Sequence, residues 1–300
     1  MKTDPPSSPF DNGLLAIGEV LIDALTNDFV RDLSEAKTLA IQAGGSPANL
    51  CRLVQRSGGT ARLVAAVGKD GLGKILLKAI AEAGVSTDHV WQLDGHATSL
   101  VVVARSQGTP EFIAYRDADR HLPPVDEALI ERAAVVHTTA FALSQPPARQ
   151  TILNALGVAH ARGVPVSVDW NYAEPVWGRE NRAADVFRQI LSYQPLLKVS
   201  LDDVARFTVA AMTPEAARHY LQTLPARVIC LTCGLEGVWY KGPETEWHHA
   251  PAPPVNVKDT TGAGDAFWAG FLTHWMQQQP LADCVQNGIA TAARRLEGKI

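Results

Sequence analysis

Asp259–Leu272 reads DTTGAGDAFWAGFL, and the interpretation of the whole chain turns on it. A polar turn, Asp259-Thr260-Thr261, leads into Gly262-Ala263-Gly264, and a helix is predicted to begin near Asp265. Glycines let a backbone come close to a ligand and leave N–H groups unpaired. At a helix start those groups carry the positive end of the helix dipole, which suits an anion or a developing negative charge. Asp265 falls in the first helical turn, within reach of whatever the loop holds. A carboxylate beside an anion-binding loop suits a general base that takes a proton from a hydroxyl while the loop stabilises a transferring phosphoryl group. Small residues on the following helix, Ala266, Ala269 and Gly270, allow close packing on a sheet. Taken alone, Gly-Ala-Gly-Asp also fits a tight loop with an aspartate favouring the dipole. The full string carries the functional reading.

Outward from this stretch, the chain repeats one grammar: apolar strand, turn, amphipathic helix, glycine, next strand. Leu14–Gly18, Arg62–Gly68, Val135–Thr139, Val164–Asp169, Leu196–Ser200 and Arg227–Thr232 read as buried strands. Leu72, Ile75, Leu76, Ala79, Ile80 and Ala83 form a helical stripe closed by Gly84. The same pattern recurs at Ile152–Gly163 and Thr213–Leu224. It predicts right-handed βαβ units and a mainly parallel sheet covered on both faces. Two stretches break the alternation. Val20–Ala43 has no obvious long helix. Ser99–Arg105 and Glu111–Tyr115, joined through Gln107-Gly108, read as a hairpin.

Composition bounds the function. The 300 residues carry 27 Lys+Arg and 31 Asp+Glu, a net charge of −4. A protein that grips nucleic-acid backbones needs a basic face, so that class is disfavoured. No apolar run approaches a membrane span. Residues 1–12 read as a disordered tail without a signal-peptide core. Four cysteines, Cys51, Cys230, Cys233 and Cys284, are too few for a disulfide scaffold, and the chain reads as cytoplasmic. Cys230-x-x-Cys233 lacks the second pair of a structural zinc site. His248-His249 reads as part of an exposed Pro-rich loop. Gly68–Ile75 imitates a P-loop, but Ile75 stands where the metal-binding hydroxyl belongs.

The fourteen-residue string resembles the C-terminal signature of the ribokinase/PfkB sugar-kinase family, closest in motifs to fructokinases. Ala43–Arg52, AGGSPANLCR, resembles that family's N-terminal signature, and Gly18–Asp23, GEVLID, its opening strand. The resemblance extends from about Leu14 to Gly298. It implies a ribokinase-like three-layer α/β/α fold, with a kinase domain over 13–300 and a β-lid from insertions at about 20–43 and 95–121. It turns Gly68, Asp70 and Gly73 into a G-x-D-x-x-G turn that shapes a helix start. In roles, it implies Asp265 as base with Gly262, Ala263 and Gly264 as anion hole. Asp23, Gly44, Gly45, Asn49, Arg116, Asp169 and Asn171 would face the sugar. Ser200, Thr232, Gly234 and Gly237 would face the nucleotide. Asp203 would hold Mg²⁺ through water, and Asp259 and Thr261 a monovalent cation such as K⁺.

The implied activity is transfer of the γ-phosphate of ATP to a hydroxyl of fructose or a related ketose. The alternatives are a 2-keto-3-deoxygluconate or nucleoside kinase of the same family, or a non-catalytic sugar or nucleotide sensor on its scaffold. No membrane or nucleic-acid partner is implied, and a homodimer through the lid is. The chain departs from the pattern at Trp170 and Ala173, where fructokinases read D-P-N-x-R, and at Ser200-x-x-Asp203, where the family reads N-x-x-E. Arg294–Ile300 ends about where relatives carry an R-x-G-A turn that helps close the adenine pocket. Trp170 and Trp177 are candidates to line the substrate site.

Overall fold

The computed structural model describes residues 12–105, 112–178, 182–243 and 246–300. The chain opens with β1 (Gly13–Ile17), leaves the main layer for β2 (Leu21–Thr26) and β3 (Leu39–Gly44), and returns through helix Ser46–Arg56 to β4 (Ala61–Gly68), helix Gly71–Glu82 and β5 (Val90–Leu93). It leaves again for β6 (Leu100–Val103) and β7 (Phe112–Tyr115). Then follow β8 (Ala133–Thr139), β9 (Val166–Asp169), β10 (Leu196–Ser200), β11 (Val228–Thr232), β12 (Val238–Lys241) and β13 (His248–Ala250), and finally helices Ala263–Met276 and Leu281–Leu296. The tail expected at residues 1–12 lies, except for Asn12, outside the described residues.

The central sheet has the order β13-β12-β11-β10-β9-β8-β1-β4-β5. The strands from β11 to β5 are all parallel, and β12 and β13 close one edge antiparallel. Strand β1 shows why both faces are covered. All five of its residues are buried, with Leu15 and Ile17 in one core and Leu14 and Ala16 in the other. Successive side chains point to opposite faces, so a fully apolar strand needs helices on both sides. Helices Ala148–Ala161 and Ala183–Leu191 contribute to the first core. Helices Ser46–Arg56, Gly71–Glu82, Ala263–Met276 and Leu281–Leu296 contribute to the second. Among the described residues, no helix is long and apolar enough to cross a membrane.

A second sheet, ordered β3-β2-β6-β7, stands off as the lid. It is antiparallel except for the β2–β6 pair. Strands β6 and β7 are the arms of the expected hairpin, whose turn lies outside the described residues. The G-x-D-x-x-G reading fits as well. Asp70 caps helix Gly71–Glu82, accepting from the Gly73 N–H at 2.8 Å, and also accepts from the Thr98 N–H at 2.8 Å, so it ties the helix to the lid's root.

Two expectations are corrected. His248 and His249 lie in β13, where their rings pack on Tyr240 and Trp239. Trp170 and Trp177 do not line a substrate site. They are 1% and 3% exposed and join an aromatic cluster with Phe187 and Phe207. Burial of that much aromatic surface outweighs whatever a pocket wall would gain from them.

Trp268 fixes how helix Ala263–Met276 sits on the sheet. Its Nε1–H donates to Ser167 Oγ at 2.9 Å, and its ring stacks on Phe271 at 4.5 Å. Ser167 Oγ also lies 2.9 Å from His137 Nδ1. Burial, and then the Lys198 charge, push that imidazole down to about 3, so it stays neutral inside the sheet. We expect Trp268→Ala to cost ~3–5 kcal/mol in denaturant unfolding, through a cavity and one lost hydrogen bond to Ser167. A cost below ~1 kcal/mol would show that the helix is seated by something else.

Candidate active site

In open α/β sheets, ligands bind beyond the carboxyl ends of strands where the strand order reverses. Here β4 lies on one side of β1 and β8 on the other, so the reversal is at β1. Parallel register brings a row of polar groups to that end: Thr139 pairs with Asp169, Asp169 with Lys198, and Ser200 with Thr232. Glu19 follows directly after β1.

Two helix starts converge on this crevice, and Asp265 is where they meet. Ser46 Oγ donates to its Oδ1 at 2.7 Å and Asn49 Nδ2 to its Oδ2 at 3.0 Å. Burial raises the Asp265 pKa above the ordinary aspartate value, against the opposing pull of those two hydrogen bonds and of Lys198 and Arg295. Asp265 and Asp23 share a cavity of about 290 Å³ with Asn49, Thr261, Gly262 and Arg295. Burial, and then the Asp265 charge, push Asp23 up to about 6.

The glycines of the N-terminal signature are steric. A Cβ on Gly44 would overlap the Asp23 carboxylate. Gly45 has φ +96°, and its Cβ would lie 2.6 Å from the Glu19 carbonyl oxygen. Gly262 is the left-handed N-cap of the Ala263–Met276 helix, with φ 74°. A Cβ on Gly264 would stand 2.8 Å from Lys198 Nζ, so a buried ammonium lies directly against the loop. Lys198 Nζ donates to Asp169 Oδ2 at 2.9 Å. Burial disfavours this ammonium, but Asp169, Asp203 and Asp265 together outweigh it and raise its pKa. Burial also lifts Asp169 above the usual carboxylate range. Its Oδ1 is buried without a hydrogen-bond partner. That spare acceptor, beside a loop suited to phosphate, is a fitting place for a divalent cation with its hydration shell.

The other expected residues are held elsewhere. Arg116 does not line the cavity. Its guanidinium pairs with buried Asp119, donates to the Phe141 carbonyl at 3.0 Å and to Ser144 Oγ, and stacks on the Phe141 ring. Asn171 Oδ1 accepts from the Phe141 N–H at 3.2 Å. Ser200 and Asp203 form a capping box, and the second Asp203 oxygen accepts from Arg206 at 2.7 Å, so both carboxylate oxygens are already engaged. Asp259 accepts from the Thr261 N–H at 2.9 Å and from Arg295 at 3.1 Å, so a guanidinium already balances the charge expected to meet a monovalent cation. Thr232 ends β11, and Gly234 and Gly237 bracket a tight loop with φ 56° and 94°. These three sit on the sheet's far flank and outside the cavity.

Sequence reasoning missed Glu19, Ser46, Lys198 and the cavity arginines. Glu19 Oε1 accepts from the Ser46 N–H at 3.1 Å, and Oε2 from Thr139 Oγ1 at 3.1 Å. It therefore joins the end of β1 to the helix that carries Ser46 and Asn49. The available signal was a lone glutamate between an apolar strand and an apolar run, in Gly18-Glu19-Val20.

A model of the pfkB family carbohydrate kinases matches residues 11–298. The ATP-dependent 6-phosphofructokinase of Thermoanaerobacterium thermosaccharolyticum is 34% identical over 286 residues, covering 94% of this chain and 87% of its own. Fructokinase-1 of Zea mays is 31% identical over 265 residues, covering 86% and 81%. The structure of Halothermothrix orenii fructokinase matches with a TM-score of 0.83 at 29% identity, covering 93% and 98%.

Burial pushes Glu19 up to about 8. The native protein then keeps a proton that the unfolded chain sheds near pH 4.5, so native stability falls as pH rises between those values. Glu19→Gln has no such proton, and its amide oxygen can still accept from the Ser46 N–H while its NH2 donates to Thr139 Oγ1. We expect it to gain a few kcal/mol (~2–4) on the wild type between pH 5 and pH 8 in urea unfolding. Parallel pH profiles for the two proteins would show that Glu19 is ionised in the fold.

Proposed function

The chain belongs to the pfkB family carbohydrate kinases, and from that premise we propose that it transfers the γ-phosphate of ATP to a hydroxyl of a fructose-type ketose. The observation that carries this reading is the convergence at Asp265. A carboxylate out of water, held by Ser46 and Asn49, stands in the first turn of a helix whose glycine loop lies against the Lys198 ammonium. The relatives named above, a fructokinase and a 6-phosphofructokinase, support a ketose of the fructose type and ATP as donor.

The acceptor hydroxyl approaches Asp265 from the lid side, where Asp23 and Asn49 accept from and donate to the sugar's other hydroxyls. Asp265 takes the proton as the oxygen attacks the γ-phosphorus. One O–P bond forms, the P–O bond to the β-phosphate breaks, and ADP leaves. N–H groups at Gly262–Gly264 and the Lys198 ammonium stabilise the charge on the phosphoryl oxygens, and such groups act strongly because they are fixed before the reaction. Burial raises the Asp265 pKa, which makes it a better proton acceptor than an exposed aspartate. Asp169, through its unpaired Oδ1, is the residue best suited to hold hydrated Mg²⁺, which when bound shields the triphosphate charge. The β2–β3 and β6–β7 lid would exclude water, so that transfer outcompetes ATP hydrolysis.

We expect Asp265→Asn to lower kcat by ~10²–10⁴ with little change in ATP affinity. Steady-state assays with a ketose acceptor check this. Near-full turnover by the variant would remove Asp265 from the role of base.

A further inference from the structure

Away from the crevice, the described residues bring together one group of three side chains with metal-ligand chemistry, His96, Asp117 and His121. One ligand atom from each lies within 4.8 Å of the other two. His96 Nδ1 is 2.8 Å from Asp117 Oδ1, and His121 Nε2 is 3.7 Å from the same oxygen. The two imidazole rings stand 4.1 Å apart, centroid to centroid, at a tilt of 36°. None of the three lines the cavity that holds Asp265, and the reaction proposed above uses none of them.

The spacing suits an ion better than it suits direct bonding. At 3.7 Å the His121 ring is too far from Asp117 for a hydrogen bond. Two ligand atoms bound at about 2.0–2.1 Å to one tetrahedral ion are roughly 3.3 Å apart. The observed 2.8 and 3.7 Å fall on either side of that value, so small side-chain rotations close the set around a single ion. The carboxylate is already aimed. Its Oδ2 accepts from the Ala97 N–H at 2.7 Å, which leaves Oδ1 toward the rings, and the Asp117 N–H donates to Ser99 Oγ at 2.9 Å. Supporting hydrogen bonds of this kind orient a metal ligand before the metal arrives. The side chains of His96, Asp117 and His121 are 34%, 40% and 35% exposed, so an ion can enter from solvent and keep water in its remaining position.

The donor set names the class of ion. Two imidazole nitrogens and one carboxylate suit Zn²⁺ and its transition-metal neighbours. Mg²⁺ and Ca²⁺ prefer oxygen ligands throughout, so Mg²⁺ supplied with ATP is a poor competitor here. When the ion takes its place between His96 Nδ1 and Asp117 Oδ1, the proton there moves to Nε2 of the ring or to solvent.

Position gives the site its consequence. His96 lies on the outgoing leg of the second lid insertion, between β5 and β6, whereas Asp117 and His121 flank the short turn Ala118–Arg120 on the leg that returns from β7. The legs already touch at this neck, where the Ala118 N–H donates to the Ala97 carbonyl at 3.1 Å. Beyond it β6 pairs with β2, with Val101 opposite Asp23. An ion held by both legs therefore braces the strand pair that carries one of the cavity carboxylates.

We propose that His96, Asp117 and His121 form a binding site for a divalent transition-metal ion, Zn²⁺ foremost, that clamps the root of the lid. The test uses the full chain, freed of metal with a chelator and titrated with ZnCl₂ in the absence of nucleotide. Calorimetry should give one site with a Kd on the order of 10 μM or tighter, and excess Mg²⁺ should not displace the ion. His96→Ala, His121→Ala and Asp117→Asn should each weaken binding at least about tenfold. The wild type supplies readouts that need no variant to fold. Zn²⁺ should shift the imidazole NMR signals of two of the nine histidines, and it should slow amide hydrogen exchange over residues 96–103 and 112–121. Binding no tighter than about 1 mM, binding that Mg²⁺ abolishes, or binding that all three variants retain would overturn the site. Binding that leaves exchange at the lid root unchanged would overturn the clamp. No readout involves phosphate transfer, so the site stands or falls apart from the kinase reading.

Discussion

The site depends on one carboxylate kept out of water between two helix starts. Burying Asp265 costs free energy, and the fold offsets it with Ser46 Oγ, Asn49 Nδ2 and the nearby charge of Lys198. Each offset constrains something else. Ser46 is held through its N–H by Glu19, which is held by Thr139 at the end of β8. Lys198 is held by Asp169 at the end of β9. The helix that carries Asp265 is seated by Trp268 on Ser167, also in β9. Asp265 is therefore positioned by β1, β8, β9 and β10 together, and the parallel register of these strands is a requirement of the candidate site as well as of the core.

Much of this architecture was legible in the sequence. Strands buried on both faces write themselves as unbroken apolar runs, and helices as a 3.6-residue stripe. Gly262-Ala263-Gly264-Asp265 and Gly44-Gly45 carry local backbone demands, so they could be read as motifs. What escaped was long-range. The contacts of Asp265 with Ser46 and Asn49 span 219 and 216 residues, and that of Glu19 with Thr139 spans 120. No periodicity records which polar ends meet across a sheet. Trp170 looked like a pocket wall because its neighbours in the chain are polar, whereas its neighbours in space are Phe187 and Phe207. Arg116 looked like a substrate ligand because it sits at the lid, and the fold gives its guanidinium to Asp119.

Charge is organised locally. A net charge of −4 says little about a cavity lined by Asp23 and Asp265 together with Arg52, Arg56 and Arg295. The carboxylates suit hydroxyls and a departing proton. A buried ammonium, Lys198 against Gly264, places positive charge beside the glycine loop.

Following the phosphorus itself asks whether the convergence at Asp265 performs transfer. With MgATP, wild-type protein and a fructose-type acceptor, ³¹P NMR should show the γ-phosphate signal replaced one for one by a phosphomonoester on the sugar, with ADP accumulating in step. Release of the γ-phosphate as free inorganic phosphate, or ATP left intact with every ketose and ketose phosphate, would contradict the account.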